Sequence, residues 1–175
     1  MAVGLFPGRV VASRSFETYH FMIPAQLITL VEAMSQKVAA CQQVNPSVSA
    51  APVGWHIAHS LLTIKVICSA IEASDPAVYR WQFNWKRSLI YTLGKIPRGK
   101  VRAPRIVQPP GEWNPVQLQH EAAEAIHKIR ALDQLTRNHY FTHPFFGMLN
   151  LAPSKKFLLL HTRHHYRIIE DILKS

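Results

Sequence analysis

Acidic side chains are scarce in this chain. Ten Asp and Glu stand against twenty Lys and Arg, a net charge of +10. Between Pro76 and Gly111 there is no carboxylate at all, while Arg80, Lys86, Arg87, Lys95, Arg98, Lys100, Arg102 and Arg105 crowd in. The shortage works against carboxylate-built sites, because a bridged di-iron bundle needs several inward-facing glutamates. Cysteine is equally sparse. Cys41 and Cys68 are the only two, with no CxxC spacing, so they read as buried small hydrophobes and a reducing, cytoplasmic setting is expected. A long apolar run is missing too. The longest stretch without Asp, Glu, Lys or Arg, Val38 to Ile64, contains prolines, polar residues and two histidines, whereas a membrane span needs roughly 20 predominantly apolar residues in succession. A soluble protein with no membrane partner is expected. Finally, no alternating pattern of any length and no internal repeat occur, which leaves an all-α chain.

What is present is helical periodicity. Residues 1 to 20 show no period and are interrupted by Gly4, Pro7 and Gly8; they read as a flexible N-terminal tail, with Met22 a candidate translation start. Residues 21–175 read as one domain. Pro24 suits the first turn of a helix whose stripe is Leu27, Val31, Met34, Val38 and Cys41. Pro52 to Ala73 is apolar nearly all round, apart from a line through Lys65 and Glu72, as a central helix would be. A short helix from Asn84 to Leu93 is expected to turn Trp85, Leu89 and Leu93 inward. Gly94 to Gly111, with four prolines and three glycines, is a long basic loop, of a length that is often functional. Asn114-Pro115 caps a third main helix with the stripe Leu118, Ala122, Ala125, Ile129, Leu132 and Thr136. Tyr140 to Pro153 reads as an uncharged aromatic connection, after which Ser154 caps the last helix. Four main helices, each with an apolar face, predict a four-helix bundle with its long basic loop between main helices 2 and 3.

Histidine is the residue in excess. Of the ten, His20 lies in the tail, His120 and His127 lie opposite their helix's stripe, His139 sits at a helix end, and His164 is at the edge of a stripe. His161 and His165 differ. In Phe157-Leu-Leu-Leu-His-Thr-Arg-His-His-Tyr-Arg-Ile-Ile they stand at i and i+4, in the middle of an apolar stripe, close enough to bind one ion together. Burying an unpaired polar ring costs roughly 1–3 kcal/mol on mutational scales, and here the cost would arise twice. A shared metal ion relieves it. The third ligand would come from the central helix, where His56 and His59 both face inward and periodicity does not separate them. Competing motifs fail: the gap between the histidines lacks the glutamate of a metalloprotease HExxH, and Glu124-Ala-Ile-His127 faces outward.

With these pieces in place the chain resembles the DinB-like (DinB/YfiT) superfamily of four-helix-bundle metalloenzymes, an uncharacterised bacterial subfamily in particular. The resemblance rests on Pro52-Val-Gly-Trp-His-Ile-Ala-His59, Lys95-Ile-Pro-Arg-Gly-Lys100 with Ala103-Pro104, His143-Pro-Phe-Phe-Gly147 and the His161/His165 pair. It implies a bundle that is not simply up-down-up-down, pairing as a homodimer, and a metal on His59, His161 and His165. It also implies thiol-dependent transferase or isomerase chemistry, in which the metal lowers the pKa of a bound thiol.

A metal-dependent enzyme, a transferase or else a hydrolase, with Zn²⁺ or Ni²⁺ on three histidines is therefore the leading expectation. Trp55, His56, His143 and Arg98 are candidates for the pocket around it. Lys100, Arg102 and Arg105 are candidates for holding an anionic small molecule or low-molecular-weight thiol. Two other classes compete: a structural bundle whose histidines merely bond one another, and a nucleic-acid module using the basic 80–105 segment. The latter is disfavoured because Trp81, Trp85 and Tyr91 follow helical spacing and so read as core.

Overall fold

The structure, a computed structural model, describes residues 13–99, 104–109 and 111–174, with side chains from Met22 onward. It is mostly helical. Five helices, α1 (Ser13–Ser35), α2 (Val53–Glu72), α3 (Trp85–Leu93), α4 (Pro115–Ala131) and α5 (Leu151–Leu173), account for most of the described residues. A hairpin of β1 (Tyr140–His143) and β2 (Gly147–Asn150) precedes α5. Lys100 and Arg102 lie outside the described residues.

The long helices form because their apolar side chains recur at helical spacing and meet in one core. Leu27, Val31, Met34, Val38 and Cys41 are buried as the period requires, as are Leu118, Ala122, Ala125, Ile129 and Leu132. α1 packs chiefly against α4 and α5, and α2 packs against the same two helices, so the consecutive helices α1 and α2 stand on a diagonal. α2 is long and apolar enough to cross a membrane, but most of it is buried by its neighbours. Its polar line is paired with α4: Lys65 with Glu121 and Glu124, and Glu72 with Lys128. At the start of α2 the chain passes close to the end of α1's stripe. Gly54 N–H donates to the Cys41 carbonyl at 2.8 Å, and a Cβ on Gly54 would stand 2.9 Å from that oxygen. Only glycine allows this approach without a shift of backbone. Cys41 and Cys68 are both buried and unbridged, and burial pushes the Cys68 thiol up to about 12.

Several sequence expectations need correction. Helix α1 begins at Ser13 and carries Pro24 inside it, within what was read as tail. Pro24 is buried and lies well inside α1, not in its first turn. Helix α4 ends at Ala131, and Thr136 is exposed. Helix α5 begins at Leu151, and Ser154 does not cap it; the buried Ser154 hydroxyl donates to the Leu149 carbonyl at 2.7 Å. The uncharged aromatic connection contains the hairpin, whose four-residue strands are too short to show an alternating period. β2 opens on Gly147 at φ +70°, a left-handed conformation that glycine adopts without steric cost.

The largest correction concerns α3. Asn84 caps it as expected, its side chain accepting from Arg87 N–H. Its orientation is the reverse of the expected one. Trp85, Leu89 and Leu93 point outward at 63%, 48% and 60% exposure, and Trp81 and Phe83 beside them are exposed at 68% and 71%. The inward side carries Arg87, which donates to the Gln82 carbonyl, and Tyr91, whose hydroxyl donates to the Pro153 carbonyl at 2.7 Å. An amphipathic period identifies a stripe, but it does not say whether this chain or another surface covers it.

Candidate metal centre

The site lies where α2 and α5 meet under the loop that follows α3. Each helix contributes histidines because the same period that buries its aliphatic residues carries these rings inward. His59, His161 and His165 offer nitrogens that all lie within 4.8 Å of one another. His59 Nε2 and His161 Nε2 are 3.2 Å apart. Two nitrogens bound to one zinc at about 2.0–2.1 Å and the tetrahedral angle would stand about 3.3 Å apart, so this edge has the right length for ligation.

The protonation pattern is decisive for what the rings can do. His59 Nδ1 is 2.7 Å from the Val107 carbonyl; a carbonyl only accepts, so Nδ1 carries the proton and Nε2 carries a lone pair. His165 Nδ1 is 3.0 Å from His56 Nδ1, and His56 Nε2 is 3.0 Å from Ser49 Oγ. If His165 Nδ1–H donates to His56, then His56 Nε2–H donates to the Ser49 hydroxyl and His165 Nε2 is free. That is the usual arrangement around a metal-binding imidazole, whose remote N–H is held by an outer partner that fixes ring and tautomer. His56 and His59 are therefore not alternatives. His59 presents a lone pair to the site, and His56 meets Nδ1 of His165 on its far side.

His161 lacks such a partner. Its Nδ1 is buried and unpaired, while its Nε2 meets His59. Trp55 stacks on His59 with ring centroids 4.8 Å apart and planes at 15°, and meets His56 edge-on at 5.2 Å. Burial, with nearby His59, holds His161 well below the usual imidazole range. Burial and His161 do the same to His165. His59 is lowered by burial against the raising effect of its bond to Val107, and burial takes His56 down to about 4. All four are neutral near pH 7, the form in which imidazole binds a metal. No Asp or Glu is among the buried residues described.

The chain has no match among known protein families, curated proteins or solved structures. The site must therefore be read from its own geometry.

Of the residues singled out from the sequence, the structure brings His59, His161, His165, His56 and Trp55 together. His143 stands apart from the triad. Its Nδ1 accepts from the Phe145 and Phe146 N–H groups, and its ring stacks on Phe146 at 4.3 Å, so it closes the hairpin loop. Phe157, in edge contact with His143 at 4.6 Å, separates it from His161. Arg98 pairs with Asp171 at 2.7 Å near the end of α5. Arg105 is exposed. The long loop does serve the site, through the backbone carbonyl of Val107 and not through its cations. Val107 and Ser49 were missed because a carbonyl has no sequence signature and a serine in a polar turn has a common one.

Proposed function

We propose that this chain is a DinB-like four-helix-bundle metalloprotein in which His59, His161 and His165 hold a Zn²⁺ or Ni²⁺ ion, acting as a thiol-dependent transferase. The observation that carries this reading is the set of outer partners. Val107 takes the Nδ1 proton of His59, and where His165 Nδ1–H donates to His56, both rings keep their Nε2 lone pairs for an ion. The diagonal placement of α1 and α2 agrees with a bundle that is not up-down-up-down.

An ion on three histidines with an open position lowers the pKa of a bound thiol or water. The residues around it favour the thiol. A hydrolase of this type needs a base near the attacking water, and no buried carboxylate is present among the described residues. His56 is committed to His165 and Ser49, and Trp55 covers one face of His59. The chain supplies an orienting frame and a wall, and leaves the nucleophile to a cosubstrate. Elemental analysis of protein purified without a histidine tag should find one ion per chain, and a chelator should lower Tm by several degrees. An ion-free protein whose melting is indifferent to chelator would defeat the reading.

Pairing as a homodimer belongs to the same proposal. Trp81, Phe83, Trp85, Leu89 and Leu93, on α3 and just before it, are all exposed, and large apolar patches on a surface are often covered by a partner. Leu89→Glu should convert a dimer into a monomer in sedimentation while metal content stays the same. A second reading has one observation in its favour: Trp81 and Trp85 are exposed beside Arg80 and Lys86, so they are free to stack on bases. Binding of single-stranded nucleic acid that falls steeply with salt would support it, and flat or absent binding would remove it.

A further inference from the structure

A cavity of about 200 Å³ opens on the outer side of α5, lined by Lys95 and Arg98 from the loop after α3 and by Leu160, Arg163, His164 and Arg167 from α5. Arg163 and Arg167 stand one turn apart on the same face. Gly94, at φ +62°, ends α3 in the left-handed conformation, and the chain that follows it forms the opposite wall. None of the lining residues is acidic. Arg98 is paired with Asp171, whereas Lys95, Arg163 and Arg167 have no carboxylate partner among the described residues. A concave site with several cations converging and one flanking carboxylate concentrates anions.

From this cavity we infer a phosphate-binding subsite: Arg163, Arg167 and Lys95 hold the phosphate end of a small molecule, and Arg98 exchanges Asp171 for it. Size supports an end group and not a whole ligand, because pockets for drug-sized molecules run to roughly 300–1,000 Å³. Guanidinium groups present paired donors that match phosphate oxygens, and one turn of helix spaces the two arginines to grip one group. The place is also apt. His164 lines the cavity, and its ring lies 5.0 Å from that of His165, so the cavity is one imidazole away from the histidine cluster. The inference deepens the transferase reading, since it names a charged anchor for the cosubstrate, and rests on that reading only for the identity of the ligand's other end.

The test uses the full chain after chelation, with inorganic phosphate as probe and chloride keeping ionic strength constant. Phosphate should raise Tm in a saturable way. Arg163→Gln and Arg167→Gln should each move the half-saturating concentration up tenfold or more. Both side chains are at least partly exposed, and melting without phosphate verifies that the variants fold. Asp171→Asn should lower the half-saturating concentration several-fold, a gain that a purely structural ion pair does not predict. An unsaturable rise equal to that in chloride, or saturation unchanged in both arginine variants, overturns the subsite. Citrate saturating at lower concentration than phosphate overturns the phosphate assignment in favour of a polycarboxylate. Because the protein carries no ion in this assay, phosphate binding by a chain that holds no native metal would sink the metal reading alone.

Discussion

His161→Ala should abolish stoichiometric metal binding, while the chelated variant melts no lower than the chelated parent. The two halves have different physical origins. Removing one of three ligands leaves a two-histidine site with an affinity at least a hundredfold weaker; outer partners alone are typically worth 10–100-fold. Without an ion, the His161 ring gives the fold a buried and unpaired Nδ1, and deleting it removes that burden while opening a small cavity in which water can replace its contact with His59 Nε2. An ion bound at a hundred times its Kd contributes about 2.7 kcal/mol, so metal-loaded parent and variant should separate clearly in Tm. His56→Ala should weaken metal binding by about 10–100-fold, because His165 loses the acceptor that fixes its tautomer. His143→Ala should leave metal affinity unchanged, since that imidazole closes a hairpin loop. Isothermal titration of chelated protein with zinc checks all three. If chelated His161→Ala proved several kcal/mol less stable than the chelated parent and chelation of the parent cost nothing, the histidines would be a hydrogen-bonded core cluster.

How much of this was legible depends on what each inference required. The His161/His165 pair was visible because i, i+4 on an apolar stripe needs only the helical period. The choice between His56 and His59 was beyond periodicity, since both rings face inward; their roles differ in what lies beyond them, a carbonyl from a distant loop in one case and a serine with a second histidine in the other. The inverted α3 shows another limit. Its nine residues carry a clear stripe, but Tyr91 and Arg87 find partners inside, and the Trp85 side is left for another surface. Arg163 and Arg167 lie on the polar side of the same helical wheel that puts His161 and His165 on the apolar stripe. They line a cavity only because the turn at Gly94 lays residues 95–98 against α5, and long-range loop placement leaves no periodic trace.

The second large effect is on pH. Chelated protein should lose stability steeply as pH falls from 6.5 towards 4, and should be insensitive to pH above about 7. His56 and His143 are each lowered to about 4, in both cases chiefly by burial. His59, His161 and His165 are lowered for the same first reason. With the folded pKa below the unfolded value of about 6.5, the unfolded chain takes up protons first as pH falls. Stability is complete above the unfolded pKa and declines through the interval down to the folded one. Each such histidine contributes up to about 1.4 kcal/mol per pH unit within that interval. Several acting together can consume, within one or two units, much of the 5–15 kcal/mol that typically holds a domain folded. Urea unfolding of chelated protein at pH 7.5, 6.0 and 5.0 measures the slope. His143→Phe should flatten it by about one histidine's share without touching metal affinity, because that ring offers no nitrogen to the site and closes the hairpin loop. Loading with zinc should carry the acid midpoint downward, since protons must then displace the ion before they can reach the imidazoles. A stability that stayed level between pH 7 and 5 would mean that these rings keep their ordinary pKa in the fold, and the dry, neutral cluster on which the metal reading depends would not exist.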